Sequence, residues 1–329
     1  MADKKKAKQL QEQTAAVRVS FHWIGTRRAL TSEQKGLAAE PFAADKAFLN
    51  ASQKLLDTRH PKMLALTRIK GDVLGHWRGH TLPYVEDGVR LIPKDQIESF
   101  NAKMQEFHGQ FGEAVAELGK SFAELKEAAK EKLGDLYSDA NYPKDPSAEF
   151  GFEWSFPSVE PPAYLKTLNP SLYAQAKQQI EAKFNEAVGM AQQALTSEFA
   201  ALVADLHERL TPGPDGAKKV FRDSTVDNLK TFFERFKALN VTGNADLEHL
   251  VADAQKLLAG GGAKELRTDA ALKAEVAAGM AQVKEKLAPL VQVAPRRKIT
   301  PIGGANGNGK AHADAPPAAE KATPEPVPA

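Results

Sequence analysis

The chain has 329 residues, with 44 Lys and Arg against 42 Asp and Glu, 42% hydrophobic and 7% aromatic residues, and no cysteine. A mean hydropathy of −0.41, no run of roughly 18 apolar residues and a charged Met1 to Leu10 without a signal-peptide core argue against a membrane protein and for a soluble, cytoplasmic one. The lack of Cys removes thiol nucleophiles, Cys-ligated zinc and iron–sulfur clusters, so any chemistry falls to His, carboxylates, hydroxyls or Lys.

Residues 1–14 hold Lys4, Lys5, Lys6 and Lys8 without an apolar period and read as a disordered basic arm. Val17, Val19, Phe21 and Trp23 then alternate with Arg18, Ser20 and His22, the pattern of a half-buried strand. Thr31 with Gln34 opens a helix predicted over 32–56, and another is predicted over 61–76. Leu82 to Pro93 contains the turn dipeptide Asp87-Gly88 and predicts a short hairpin. Phe150, Phe152, Trp154 and Phe156 repeat the aromatic alternation up to Pro157, and the strands are expected to join in one small antiparallel sheet. Their aromatic face has two readings, a core surface facing helices or an exposed platform for nucleic-acid bases.

Asp95, with Glu98 three residues on, can cap a long helix. Apolar or small residues recur at 97, 100, 104, 107, 111, 114, 118, 122, 125 and 129, a near-heptad seam that predicts a helix from Asp95 to Leu136. Asn169-Pro170 opens a second long helix carrying Ile180, Phe184, Ala187, Ala191, Leu195, Phe199, Leu202, Leu206 and Leu210. Shorter helices are predicted at 224–239, 245–258 and 265–288, with Phe232, Phe233 and Phe236 forming a docking stripe. The fold class expected is mainly α: a long antiparallel coiled-coil-like helical hairpin (94–137 plus 169–211), a small antiparallel β head in an α+β unit (15–93 plus 138–168), and C-terminal helices (222–292). Seven prolines among residues 295–329 predict a disordered tail.

Motifs for catalysis are weak. Ala114 to Ser121 fits the permissive spacing of a phosphate-binding loop, ending Gly119-Lys120-Ser121, but lies inside the helical seam, where backbone N–H groups are already committed. Gly304 to Lys310 has similar spacing, with Ala311 where a magnesium-binding hydroxyl would stand. His76 and His80 are four apart but lack a third metal ligand. No catalytic residue, cofactor or metal is therefore assigned.

Charge is the most functional signal. Residues 1–80 contain 15 Lys and Arg against 7 Asp and Glu, a net of +8, leaving −6 for the remainder. Arg59, Lys62, Arg68, Lys70 and Arg78 stand against Asp72 alone over 22 residues, with Trp77 beside them and Arg27-Arg28 upstream. These eight residues are candidate nucleic-acid contacts. The competing reading is an ordinary solvated helix face.

Val17 to Gly25 (VRVSFHWIG), Leu55 to Pro61 (LLDTRHP), Trp154 to Pro162 (WSFPSVEPP), Val220 to Phe233 (VFRDSTVDNLKTFF) and Pro295-Arg296-Arg297 together resemble a bacterial and phage family of unknown function, the one numbered three-one-five-zero among such families. The resemblance implies a gene carried by phages, plasmids or integrated elements, often beside a MoxR-type AAA+ ATPase and a partner with a von Willebrand A fold. It implies no activity and no catalytic residues. The reading that follows is a non-enzymatic helical accessory or adaptor protein engaging such a partner, with nucleic-acid binding through the basic N-terminal region as the alternative and oligomeric state left open.

Overall fold

A computed structural model describes residues 2–212 and 221–291. Its N-terminus departs at once from the sequence reading. Ala2–Gln13 form a helix, α1, rather than a disordered arm, with Ala7 and Leu10 buried. These two residues, three apart, make a one-turn apolar stripe that the Lys-rich composition conceals, and they join the core built on the second long helix. Thr14 closes the junction by donating its hydroxyl to the Leu10 carbonyl at 2.6 Å.

The head contains β1 (Thr14–His22), β2 (Arg27–Ala29), α2 (Ser32–Ala39), β3 (Ser52–Lys54), α3 (Pro61–Gly79), β4 (Leu82–Pro83) and β5 (Val89–Pro93). The long helix α4 (Ile97–Leu133) follows, then β6 (Gly151–Ser155). Four strands form an antiparallel sheet in the order β4-β5-β1-β6. The two aromatic segments are direct neighbours in it, with Phe21 opposite Phe152 and Val19 opposite Trp154. Between β4 and β5, Gly88 adopts φ +75°, a conformation that a residue with a Cβ resists. β2 and β3 make a separate two-stranded ribbon.

The predicted helix over 32–56 ends early, at Ala39. Thr31 and Gln34 do form the expected capping box, with the Gln34 N–H donating to Thr31 Oγ1 at 3.2 Å. Pro41, which has no N–H to donate, and Ala43 at φ +46° then break the helix into two short 3₁₀ turns, Glu40–Phe42 and Lys46–Phe48. Asp95 does not cap α4 either; a 3₁₀ turn at Lys94–Gln96 runs into the helix without a side-chain cap.

The remaining α-helices are α5 (Tyr164–Leu168), α6 (Pro170–Leu210), α7 (Asp223–Leu239), α8 (Ala245–Ala259), α9 (Glu265–Thr268) and α10 (Ala270–Leu287). Asn169 caps α6 as predicted, its Oδ1 accepting from the Leu172 N–H at 3.1 Å. The helix expected over 265–288 is divided at Asp269, whose carboxylate accepts the Ala271 and Leu272 N–H groups and so starts α10 afresh. The mainly α fold with a small antiparallel sheet matches the sequence expectation.

The pairing of the long helices does not match it. α4 buries Phe100, Met104, Phe107, Phe111, Leu118 and Leu125 with α3, β6 and one face of β1. α6 buries Phe184, Leu195, Phe199, Val203 and Leu206 with α1, α7, α8 and α10. The sheet lies between these two cores. Ala16 and Leu91 point into the α6 core, while their neighbours Val17 and Ile92 point into the α4 core, as strand alternation requires. The hairpin expectation is thus corrected: the seams of α4 and α6 are satisfied by other elements. Phe232 does dock the C-terminal helices, stacked on Phe199 of α6.

Candidate functional site

The residues of the basic stretch fall in different environments. Arg27 and Arg28 lie on the exposed ribbon strand β2, and Arg28 hydrogen-bonds Asn141 Oδ1. Arg59 is exposed in the loop before α3. On α3, Lys62 pairs with Glu117 of α4 at 2.9 Å, while Arg68 and Arg78 face solvent. Lys70 sits over the rings of Trp23 and Phe21, with its Nζ 4.5 and 5.0 Å from their centroids.

Trp77 is the clearest correction. It is 8% exposed and belongs to the core stripe Met63, Leu66, Val73 and Trp77, so its ring is closed to a nucleic-acid base. That stripe has helical spacing and was readable from the sequence. The aromatic sheet face is likewise occupied, because Phe111 of α4 meets Phe152 at 5.5 Å, Trp23 at 6.2 Å and Phe21 at 6.5 Å. It is a core surface, not a platform.

His76 and His80 do approach each other, with ring centroids 4.1 Å apart, and His76 stacks on Phe100 at 5.3 Å. Burial, aided by the neighbouring His80 and Lys103, pushes His76 down to about 4, so it is neutral near pH 7. Among the described residues no group of three or more His, Asp or Glu is placed to hold a metal ion. Gly119, Lys120 and Ser121 lie within α4, and Lys120 pairs with Glu117 at 2.5 Å. Their backbone is helical, not a phosphate cradle. Gly304 to Lys310 lies outside the described residues.

Two surfaces that sequence reasoning passed over stand out. The first is a helical tip. No side chain of α6 before Phe184 is fully buried, and the stretch before Ile180, which packs partly against the core, extends roughly 15 Å beyond it. Short α5 packs beside it, joined through Asn169, whose N–H donates to the Leu165 carbonyl at 2.9 Å. This tip carries Tyr164 at 63% exposure and Leu168 at 76%, with Leu172 beside them in the chain.

The second surface is the excursion after β2, where Leu37, Phe42 and Phe48 are exposed, Phe48 to 92%. Hydrogen bonds hold the backbone here: the capping box at Thr31, and Asp45 Oδ1 accepting from the Ala47 N–H at 2.8 Å. Large apolar side chains on a fixed backbone, without burial, are what a protein-binding surface presents. The available sequence signal was apolar residues lying off any helical or strand period.

No family model, curated protein or solved structure matches the chain. The reading of the site therefore rests on its own geometry. Among the described residues no helix is long and apolar enough to cross a membrane.

Proposed function

We propose that this chain is a non-enzymatic accessory protein of a phage or mobile genetic element, docking onto a protein partner through the α5–α6 tip and the Ser32–Phe48 excursion. The observation that carries this reading is the exposure of Tyr164, Leu168, Phe42 and Phe48 on hydrogen-bonded helical turns. Aromatic and Leu side chains on short rigid helices give a partner contact area at little cost in conformational entropy. The resemblance at Val17 to Gly25 and Leu55 to Pro61 makes a MoxR-type AAA+ ATPase the first partner to test.

The test is association of the purified chain with that ATPase, measured for wild type, for Tyr164→Ser/Leu168→Ser/Leu172→Ser and for Phe42→Ser/Phe48→Ser. Loss of association at unchanged melting temperature supports the reading. Association that survives both sets of substitutions overturns it.

Nucleic-acid contact is a second reading, favoured by the exposure of Arg59, Arg68 and Arg78. It requires that labelled DNA bind more weakly as salt rises, and that Arg68→Glu/Arg78→Glu abolish binding.

A further inference from the structure

A pocket opens where the loop after β3 meets the last turns of α4, and none of the residues invoked for docking lines it. Its volume is about 430 Å³, within the roughly 300–1,000 Å³ typical of small-molecule sites. Leu125, Ala128, Ala129 and Leu133 form one wall and Leu55 and Leu56 another. The two alanines create the space, since longer side chains there would fill it. Lys54, Arg59 and Lys132 line the same pocket with a single acid, Asp57.

Asp57 arranges the cations. Its Oδ1 accepts from Lys54 Nζ at 3.2 Å and from the Arg59 backbone N–H at 3.0 Å, while Lys132 Nζ lies 3.6 Å from Oδ2. These contacts, the Arg59 N–H first and Lys54 next, hold the Asp57 carboxyl below its usual range, so it is ionised near neutral pH. Each ammonium has three donors; Lys54 commits one to Asp57, Lys132 lies beyond hydrogen-bond distance of it, and the Arg59 side chain is exposed. The loop is braced from behind by Tyr142, whose hydroxyl donates to the Leu55 carbonyl at 2.8 Å.

Three cations and one carboxylate leave a net charge of +2 over an apolar floor. A phosphate monoester carries about −1.5 to −2 near pH 7, whereas a phosphodiester or a carboxylate carries −1. We propose that the pocket lined by Lys54, Arg59 and Lys132 binds a phosphate monoester, with the phosphate among the three cations and the apolar body of the ligand against Ala128 and Ala129. A free nucleotide and the phosphorylated end of a nucleic-acid strand both supply this chemistry. The proposal is independent of the docking reading.

The experiment is calorimetric titration of the full chain with phenyl phosphate, adenosine monophosphate, inorganic phosphate and benzoate at about 50 and 200 mM salt, and with a dT oligonucleotide bearing either a 5′-phosphate or a 5′-hydroxyl. The two monoesters should bind more tightly than phosphate or benzoate, and more weakly at the higher salt. Lys54→Ala/Lys132→Ala should lower their affinity by about tenfold or more, and Lys284→Ala, on exposed α10 surface, should not change it. Ala128→Met, which fills the floor and leaves the cations, should weaken phenyl phosphate but not inorganic phosphate. Preference for the 5′-phosphorylated strand points to a strand end, and preference for the mononucleotide to a free ligand. The proposal fails if no phosphate binds at the lower salt, if benzoate binds as well as phenyl phosphate, or if binding survives Lys54→Ala/Lys132→Ala in a protein that melts like wild type.

Discussion

Phe199 of α6 and Phe232 of α7 lie face to face, with ring centroids 5.3 Å apart, planes 7° from parallel and both side chains fully buried. Phe233 and Phe236 add further ring contacts with Phe232. This cluster fastens the C-terminal helices to α6. Phe232→Ala is expected to cost about 3–5 kcal/mol, read as a lower denaturant midpoint at unchanged slope.

Leu118 and Lys120 are two residues apart on α4 but face opposite ways. Leu118 is fully buried, while Lys120 is largely exposed and pairs with Glu117. Leu118→Asp places an unpaired carboxylate in the core and should cost more than about 3 kcal/mol, whereas Lys120→Ala should change stability by less than about 0.5 kcal/mol. Chemical denaturation of both variants checks the assignment of faces.

His76 gives a pH signature. Its folded value of about 4 lies below the ordinary 6.5, so the unfolded chain takes up the proton first as pH falls. Its contribution to stability is therefore intact above about pH 6.5, declines between 6.5 and 4, and is fully lost below 4. Its Nε2 has no hydrogen-bond partner, and its ring stacks on Phe100, so a Phe should be tolerated there. Melting temperature against pH should fall less steeply for His76→Phe than for wild type across this window.

Glycine substitutions should separate open helix surface from close packing. A Cβ at Gly119 meets nothing within 4 Å, so Gly119→Ala should stabilise α4 by about 0.5–1 kcal/mol. A Cβ at Gly279 would lie 2.5 Å from Leu257 Cδ1 and Cδ2, where α10 crosses α8. Gly279→Ala should be destabilising by about 1–3 kcal/mol, relieved by adding Leu257→Ala. Thermal melts of the three proteins decide it.

The α5–α6 tip gives the opposite pattern to the core. Leu168→Ser should leave the melting temperature nearly unchanged, because Leu168 is exposed, while Phe184→Ala, where α6 enters the core, should cost about 3–5 kcal/mol.

Much of the local structure was legible because it depends on neighbours in the chain. Alternation at Val17 to Trp23 and Phe150 to Phe156 marked two strands, Asp87-Gly88 marked their neighbouring hairpin, and Asn169-Pro170 marked the start of α6. The mainly helical fold class and small antiparallel sheet follow from the same periodicities. The errors came where a local signal met a competing one. Pro41 and a left-handed Ala43 cut short the helix that Thr31 opens, and two apolar residues sufficed to order α1 despite its lysines.

What the sequence determined alone was which residues share a face; what only the tertiary structure decided was what each face meets. A heptad seam records that Phe100 to Ala129 want burial, but hydrophobic burial is non-directional, so the sheet and α3 satisfy it as well as α6 would have. The same holds for charge. Composition located a basic N-terminal quarter, but folding buried Trp77, paired Lys62 with Glu117 and brought Lys132 from the far end of α4 beside Lys54 and Arg59, because charges separated in sequence meet only through packing.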